Sequence, residues 1–292
     1  MLAELFAVMA PVLCGAGLGF GWVRLGYDYP VEFITRLVFN IGTPTLILAS
    51  LDGADIDPGS FGLTMLGTLL VVTGMGLISL VIARVLGKPW RTVILPTMFP
   101  NTGNMGLPVI LYAFGHAGFA YAITSMVSVS LVQFTFGTLL SSRSGRPLRS
   151  LARTPVVYAI LVATAMLLTG TTLPAWLANT VDLISGFSVP LMLITLGVSL
   201  ARIRVRNLAS GFHFSLLRIP AAALLAFAVG HLLGLPPLAQ SVLILQMSMP
   251  VAVFNYLFAQ RSRREPEFVA GLVLCSTLLS FLYLPALLAI MM

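Results

Sequence analysis

Residues 99–108 read FPNTGNMGLP, two asparagines and a threonine set among two prolines and two glycines in an otherwise apolar run. A second such place, Gln246-Met247-Ser248-Met249-Pro250, lies further along the chain, with Asn255 just beyond it. Asn101, Thr102, Asn104, Gln246, Ser248 and Asn255 donate and accept hydrogen bonds without formal charge. Their chemistry is that of holding a guest. No nucleophile, base and orienting group cluster in the sequence. His116, His213 and His231 are scattered, Cys14 and Cys275 stand alone in apolar stretches, and no set of metal ligands has zinc-like spacing. The expectation is a binding site without a catalytic group, a cofactor or a metal, in a protein that is not an enzyme.

The elements that must position these residues are membrane helices. Of 292 residues, 58% are hydrophobic and 9% charged, and the mean hydropathy is +1.01, beyond what soluble domains reach. Ten apolar runs follow one another, roughly 2–22, 31–51, 60–86, 90–115, 117–141, 154–171, 174–201, 209–233, 237–260 and 267–291. The first lacks a basic leader and precedes Arg24, so it reads as a retained span rather than a cleaved signal. All 16 Lys and Arg residues are assigned to odd-numbered loops or their flanks, Arg218 being grouped with Arg202, Arg204 and Arg206, while the second loop carries Asp52, Asp55 and Asp57. By the positive-inside rule the odd loops are cytoplasmic and both termini lie outside. The net charge of +7 therefore meets lipid headgroups rather than nucleic acid.

Two word pairs suggest a repeat. Gly42-Thr43-Pro44 resembles Ser188-Val189-Pro190 at an offset of 146, and Leu86-Gly87-Lys88-Pro89 resembles Leu233-Gly234-Leu235-Pro236 at an offset of 147. The halves are 1–141 and 154–292, joined by the basic linker 142–153. Five spans per copy is an odd number, so the copies are inverted, an architecture of secondary transporters whose sites lie at mid-span on discontinuous helices. The fourth and ninth spans are expected to break there, at Pro100, Gly106 and Pro108 and at Pro250, because proline removes an intrahelical hydrogen bond and glycine weakens a helix. The 147 offset aligns Asn101, Thr102 and Gly103 with Ser248, Met249 and Pro250. At such a crossing two half-helix N-termini, each about +0.5 charge, suit an anion, and the two C-termini suit a cation or a donor group. Neither crossing segment holds an acid. Asp182, in the seventh span, either marks the outer interface, beside Pro174-Ala175-Trp176, or serves ion coupling.

The stretch FPNTGNMGLPVILYAFG, the ten runs, the short basic centre and the proline-broken ninth span resemble the auxin efflux carrier family, in particular its bacterial members. The resemblance implies an all-α polytopic protein of ten helices in two inverted five-helix repeats, related in fold to bile acid symporters and sodium/proton antiporters. It implies a scaffold of spans 1, 2, 6 and 7 that forms a homodimer, and a mobile transport unit of spans 3–5 and 8–10. The cargo would be a small organic anion, an auxin-like acid, malate or malonate, moved across a bacterial inner membrane, with both termini periplasmic, by elevator-type alternating access. The crossing role then falls to Pro100, Asn101, Gly103, Asn104 and Pro108 and to Ser248 and Pro250. The ninth-span segment QMSMPVAVFN lacks the asparagine-proline pair of the plant carriers, so auxin itself is not assumed. Protons, sodium and the membrane potential all remain compatible as driving force. A channel, a membrane-embedded ligand sensor and a sodium- or proton-coupled symporter of another substrate are the alternatives. The glycine-rich GAGLGFG at 15–21 reads as close helix packing, and Ser128, Ser130 and Gln133 as helix–helix hydrogen bonding.

Overall fold

The computed structural model describes residues 2–52, 58–141, 155–203 and 208–291. The linker 142–153, with Asp55, Asp57, Arg204 and Arg206, lies outside them. In chain order the elements are α1 (Leu2–Arg24), α2 (Val31–Leu37), a π-helical turn (Val38–Gly42), α3 (Thr43–Leu51), α4 (Pro58–Val85), α5 (Trp90–Met98), a second π-helical turn (Thr102–Gly106), α6 (Leu107–Ser141), α7 (Pro155–Thr169), α8 (Ala175–Ser185), α9 (Ser188–Arg202), α10 (Leu208–Leu232), α11 (Pro237–Ser248), α12 (Val253–Ser262) and α13 (Pro266–Met291). Among the described residues there is no strand. Large apolar side chains such as Phe6, Leu77, Leu224 and Leu282 point outward, a surface that lipid accepts and water does not.

Among the described residues, seven stretches are long and apolar enough to cross a membrane: Leu5–Arg24, Val31–Leu51, Gly59–Val85, Thr102–Gln133, Ala175–Arg202, Leu208–Leu232 and Pro266–Met291. The sequence segmentation has three more, at 90–115, 154–171 and 237–260, and the physical reason for the difference is plain. The helix α7 has only 15 residues. The fourth run is cut after the nine residues of α5, and the ninth into pieces of 12 and 10. The fourth and fifth runs are joined in α6, which bends sharply at Gly115, where φ is 62° and ψ −160°.

The turns explain why the chain folds back where it does. After α4, Gly87 has a φ of 62°, its N–H donates to Arg84 O, and Lys88 N–H donates to Ala83 O. After α10, Gly234 has a φ of 64°, its N–H donates to His231 O, and Leu235 N–H donates to Gly230 O. These are two copies of one glycine C-cap, each followed by a proline that caps the next helix, Pro89 before α5 and Pro236 before α11. The matched words of the sequence thus encode one local structure twice. The other matched pair also meets in space, since a Cβ at Gly42 would collide with Ser188 Oγ.

Helix packing falls into two groups. In one, α1 lies along α9, and α3 packs on α7 and α8. The α1–α9 contact is so close that a Cβ at Gly19 or Gly197 would strike the facing backbone, at Ile194 O or Ala16 O. In the other, α4 packs on α5, α6 and α10, and α10 packs on α11 and α13. Loops of like parity touch. Lys88 Nζ pairs with Glu265 at 2.6 Å, Arg202 Nη2 donates to Tyr29 O at 2.9 Å, and Leu173 N–H donates to Asp52 Oδ1 at 2.8 Å.

Candidate functional site

Proline sets the two breaks. A proline pushes the residue before it out of the helical region, and Phe99 before Pro100 is extended (φ −111°, ψ 97°), as is Met249 before Pro250 (φ −55°, ψ 151°). The unwound segments lie antiparallel, Pro100 bridging to Val251. Asn101 N–H donates to Pro250 O at 2.7 Å, and Ala252 N–H to Phe99 O at 3.2 Å. Backbone groups freed by each break are thus satisfied by the other, as burial requires. The register differs from the sequence alignment. α11 is 12 residues long and α5 nine, so Pro100 matches Pro250, and Asn101 matches Val251 rather than Ser248.

Beyond each break a second half-helix begins, at Thr102 and at Val253, and its third residue is an asparagine, Asn104 or Asn255. Their surroundings differ. Asn255, 1% exposed, donates from Nδ2 to Phe99 O at 2.9 Å and accepts from Gln133 Nε2 at 3.4 Å. It is a strut that ties α12 to the opposite break. Asn104 has no hydrogen-bond partner among the described residues and lines a cavity of about 410 Å³ with Thr35, Arg36, Thr195, Ser199 and Phe254. Val253, Val31 and Glu32 complete the lining. Arg36 Nη2 pairs with Glu32 Oε1 at 2.6 Å at an exposed position. Next to the cavity, Tyr29 and Thr195 share a hydrogen bond of 2.8 Å. Burial pushes the Tyr29 phenol above its usual value, and the Thr195 bond partly offsets that.

The first N–H groups of a helix have no intrahelical acceptor. Here residues of the first turns of two such ends, which begin at Thr102 and Val253, line this one cavity. The remaining amides and hydroxyls lie deeper. Asn101 Nδ2, Gln246 Oε1 and Ser248 Oγ are buried and unpartnered. Gln246 donates from Nε2 to Ala122 O at 3.0 Å, and its carbonyl sits where a Cβ on residue 106 would be, which explains Gly106. Thr102 and Met249 are buried at the two breaks, and a Cβ added at Gly103 would come within 3.6 Å of Met126 Sδ. Pro108, the second residue of α6, lies two residues after the end of the π-helical turn at Gly106. Ser128 Oγ donates to its own helix at Thr124 O. Asp182 is exposed on α8, which packs on α3, so the structure does not bring it to the crossing.

Two residues were passed over in the sequence. Arg36, counted only as a topology charge, lines the cavity. Arg218 requires a correction: it is not a loop residue but lies inside α10, and at 1% exposure it is the one fully buried charged side chain among the described residues. Its Nε donates to Pro96 O at 3.2 Å and Thr97 O at 3.3 Å, and its Nη1 to Met249 O at 2.8 Å. The neighbouring Ser248 O accepts from Tyr283 at 2.6 Å. The signal was present, since Arg218 falls nine residues inside the run 209–233, and an arginine at that depth marks a functional position.

The profile of the membrane transport protein family matches this chain over residues 5–150 and 145–288. An uncharacterised transporter of Methanothermobacter thermautotrophicus is 31% identical over 264 residues, 86% of each chain. An uncharacterised transporter of Methanocaldococcus jannaschii is 26% identical over 199 residues, 65% of each. With its motif, its helical build and these matches taken together, the chain belongs to the membrane transport protein family, that of the auxin efflux carriers, and is a multi-pass membrane transporter.

Proposed function

We propose that this transporter is a secondary carrier of a small organic anion, a mono- or dicarboxylate, which it binds in the cavity beside Asn104 and moves by alternating access. One observation carries the reading: the first turns of two half-helices and the guanidinium of Arg36 border one cavity of about 410 Å³. Two N-termini supply about one positive charge together, free N–H groups bind carboxylate oxygens, and the volume lies in the usual range of small-molecule sites. The hydroxyls of Thr35, Thr195 and Ser199 add neutral donors that fix orientation. Glu32, the one carboxylate in the lining, is paired with Arg36 at 2.6 Å, and no carboxylate is buried among the described residues, so the helix ends rather than a free side-chain charge carry the attraction for an anion.

We read the chain as ten crossings in two inverted repeats, a count reached by adding the short and broken helices to the seven long ones. The paired glycine caps and the antiparallel contact of the breaks support that reading. The cavity is bordered by both packing groups, α2 and α9 from one and the crossing from the other, which supports an elevator-type movement of one group against the other. The basic odd loops support cytoplasmic placement of the cavity mouth and periplasmic termini, in a plasma membrane. The homodimer remains a proposal from resemblance, through α1–α3 and α7–α9.

The test is uptake into proteoliposomes against a panel of mono- and dicarboxylates under imposed ion gradients. Saturable flux of one class, competed by its analogues, is the expected result. Currents far above carrier turnover would assign a channel instead, and binding without flux a sensor.

A further inference from the structure

We propose that Arg218 is a tethered cation, its guanidinium standing at the crossing where an exchangeable coupling cation would otherwise bind. The two C-terminal ends that meet at the crossing, α5 at Met98 and α11 at Ser248, each carry about −0.5 charge on carbonyls that lack intrahelical donors. In a low-dielectric interior that charge requires a partner. A monovalent cation from solution is one solution, because bare carbonyl oxygens are good ligands for hard cations. This chain supplies another. Arg218 reaches in from α10 and donates to Pro96 O and Thr97 O at the end of α5 and to Met249 O at the end of α11. One guanidinium thereby spans both ends.

The charges close. About −1 from the two C-terminal ends is cancelled by +1 on Arg218, and the roughly +1 of the two N-terminal ends stays uncompensated on the other side of the crossing, where the Asn104 cavity lies. The converse also holds: no buried carboxylate among the described residues neutralises Arg218, so the carbonyls are its counter-charge. Guanidinium suits this place better than ammonium, because its planar fork addresses two helix ends at once and it is never deprotonated. Two consequences follow. The C-terminal side of the crossing is filled in every state in which Arg218 holds both helices, leaving no room for sodium or potassium there. The positive field that attracts the substrate is permanent rather than ion-dependent.

The inference deepens the anion-carrier reading and rests on it for the field at the cavity, but the cation site is read separately. The full-length chain is purified, and thermal unfolding and proteoliposome flux are measured in sodium and then in choline at equal ionic strength. The wild type should be indifferent to the exchange in both. Arg218→Ala should unfold at a lower temperature and lose flux. Low-millimolar guanidinium chloride, below any denaturing level, should restore both towards wild type, while choline chloride at the same concentration should not. Arg218→Lys, which keeps the charge but not the fork, should fall between. A sodium requirement in the wild type would overturn the proposal, as would an Arg218→Ala protein as stable as wild type or one indifferent to guanidinium. If Arg218→Ala does not fold, the lysine variant and the wild-type exchange still decide. Unfolding with guanidinium rescue needs no substrate, so a wrong carboxylate assignment would silence flux and leave the cation arm readable.

Discussion

At the residue scale the two asparagines beyond the breaks have the same rank in their half-helices and opposite duties. Asn255 is spent on the protein, with its amide on Phe99 O and its carbonyl on Gln133. Asn104 lines the cavity and has no side-chain hydrogen-bond partner among the described residues. Asn104→Leu should therefore leave the unfolding temperature near wild type and weaken carboxylate binding about 10- to 100-fold, the worth of one hydrogen bond to a charged group. Asn255→Leu should lower the unfolding temperature first, because it leaves Phe99 O short of one donor in the interior. Calorimetric titration beside thermal unfolding separates the two. Arg36→Gln should weaken binding and flatten its salt dependence, since Arg36 is exposed and its field is screened by ions. The amides were legible in the sequence because uncharged polar groups next to prolines are conspicuous in an apolar run. Which of the two was free to bind was not legible, because that depends on a partner 156 residues away.

At the element scale the breaks were legible and their register was not. Phe99-Pro100 and Met249-Pro250 fix the ends of α5 and α11 by local sterics that any chain would obey. The three extra residues of α11 could not be seen from an alignment anchored on the glycine caps, since a longer half-helix keeps the cap and moves the break. Gly106 belongs to this scale too. It lets the amide of Gln246 lie against the second π-helical turn, with Nε2 on Ala122 O. Gly106→Ala should push that amide aside and lower the unfolding temperature by several degrees, for a cost of about 1–3 kcal/mol from overpacking. The double substitution Gly106→Ala with Gln246→Ala removes the clash and should recover part of the loss. Additive losses in the double variant would mean that the contact is not what keeps position 106 small. Arg218 shows the opposite failure of reading: its depth in the run 209–233 was visible, and grouping it with the loop charges hid it.

At the scale of the whole molecule, the cavity has walls on both packing groups, and that gives alternating access a distinct signature. In the proposed elevator movement Asn104 would travel with α5 and α6 while Ser199 stays with α9. In a chain whose Cys14 and Cys275 are replaced by alanine, single cysteines are placed at 104 and at 199 and challenged with a membrane-impermeant thiol reagent from either face. Both should react from the face that carries Tyr29 and Arg202, the cytoplasmic one by the distribution of basic loops, and saturating substrate should slow both. Under conditions that support flux, the cysteine at 104 should also become reactive from the outer face, because its group carries it across, while the one at 199 should not, because α9 stays. Reaction of both only from the cytoplasmic face during active flux would rule out movement of the site and leave a channel through a static cavity. Reaction of both from the outer face alone would reverse the assigned orientation. The reciprocal pattern, 199 gaining outer access and 104 not, would exchange the roles of the two groups.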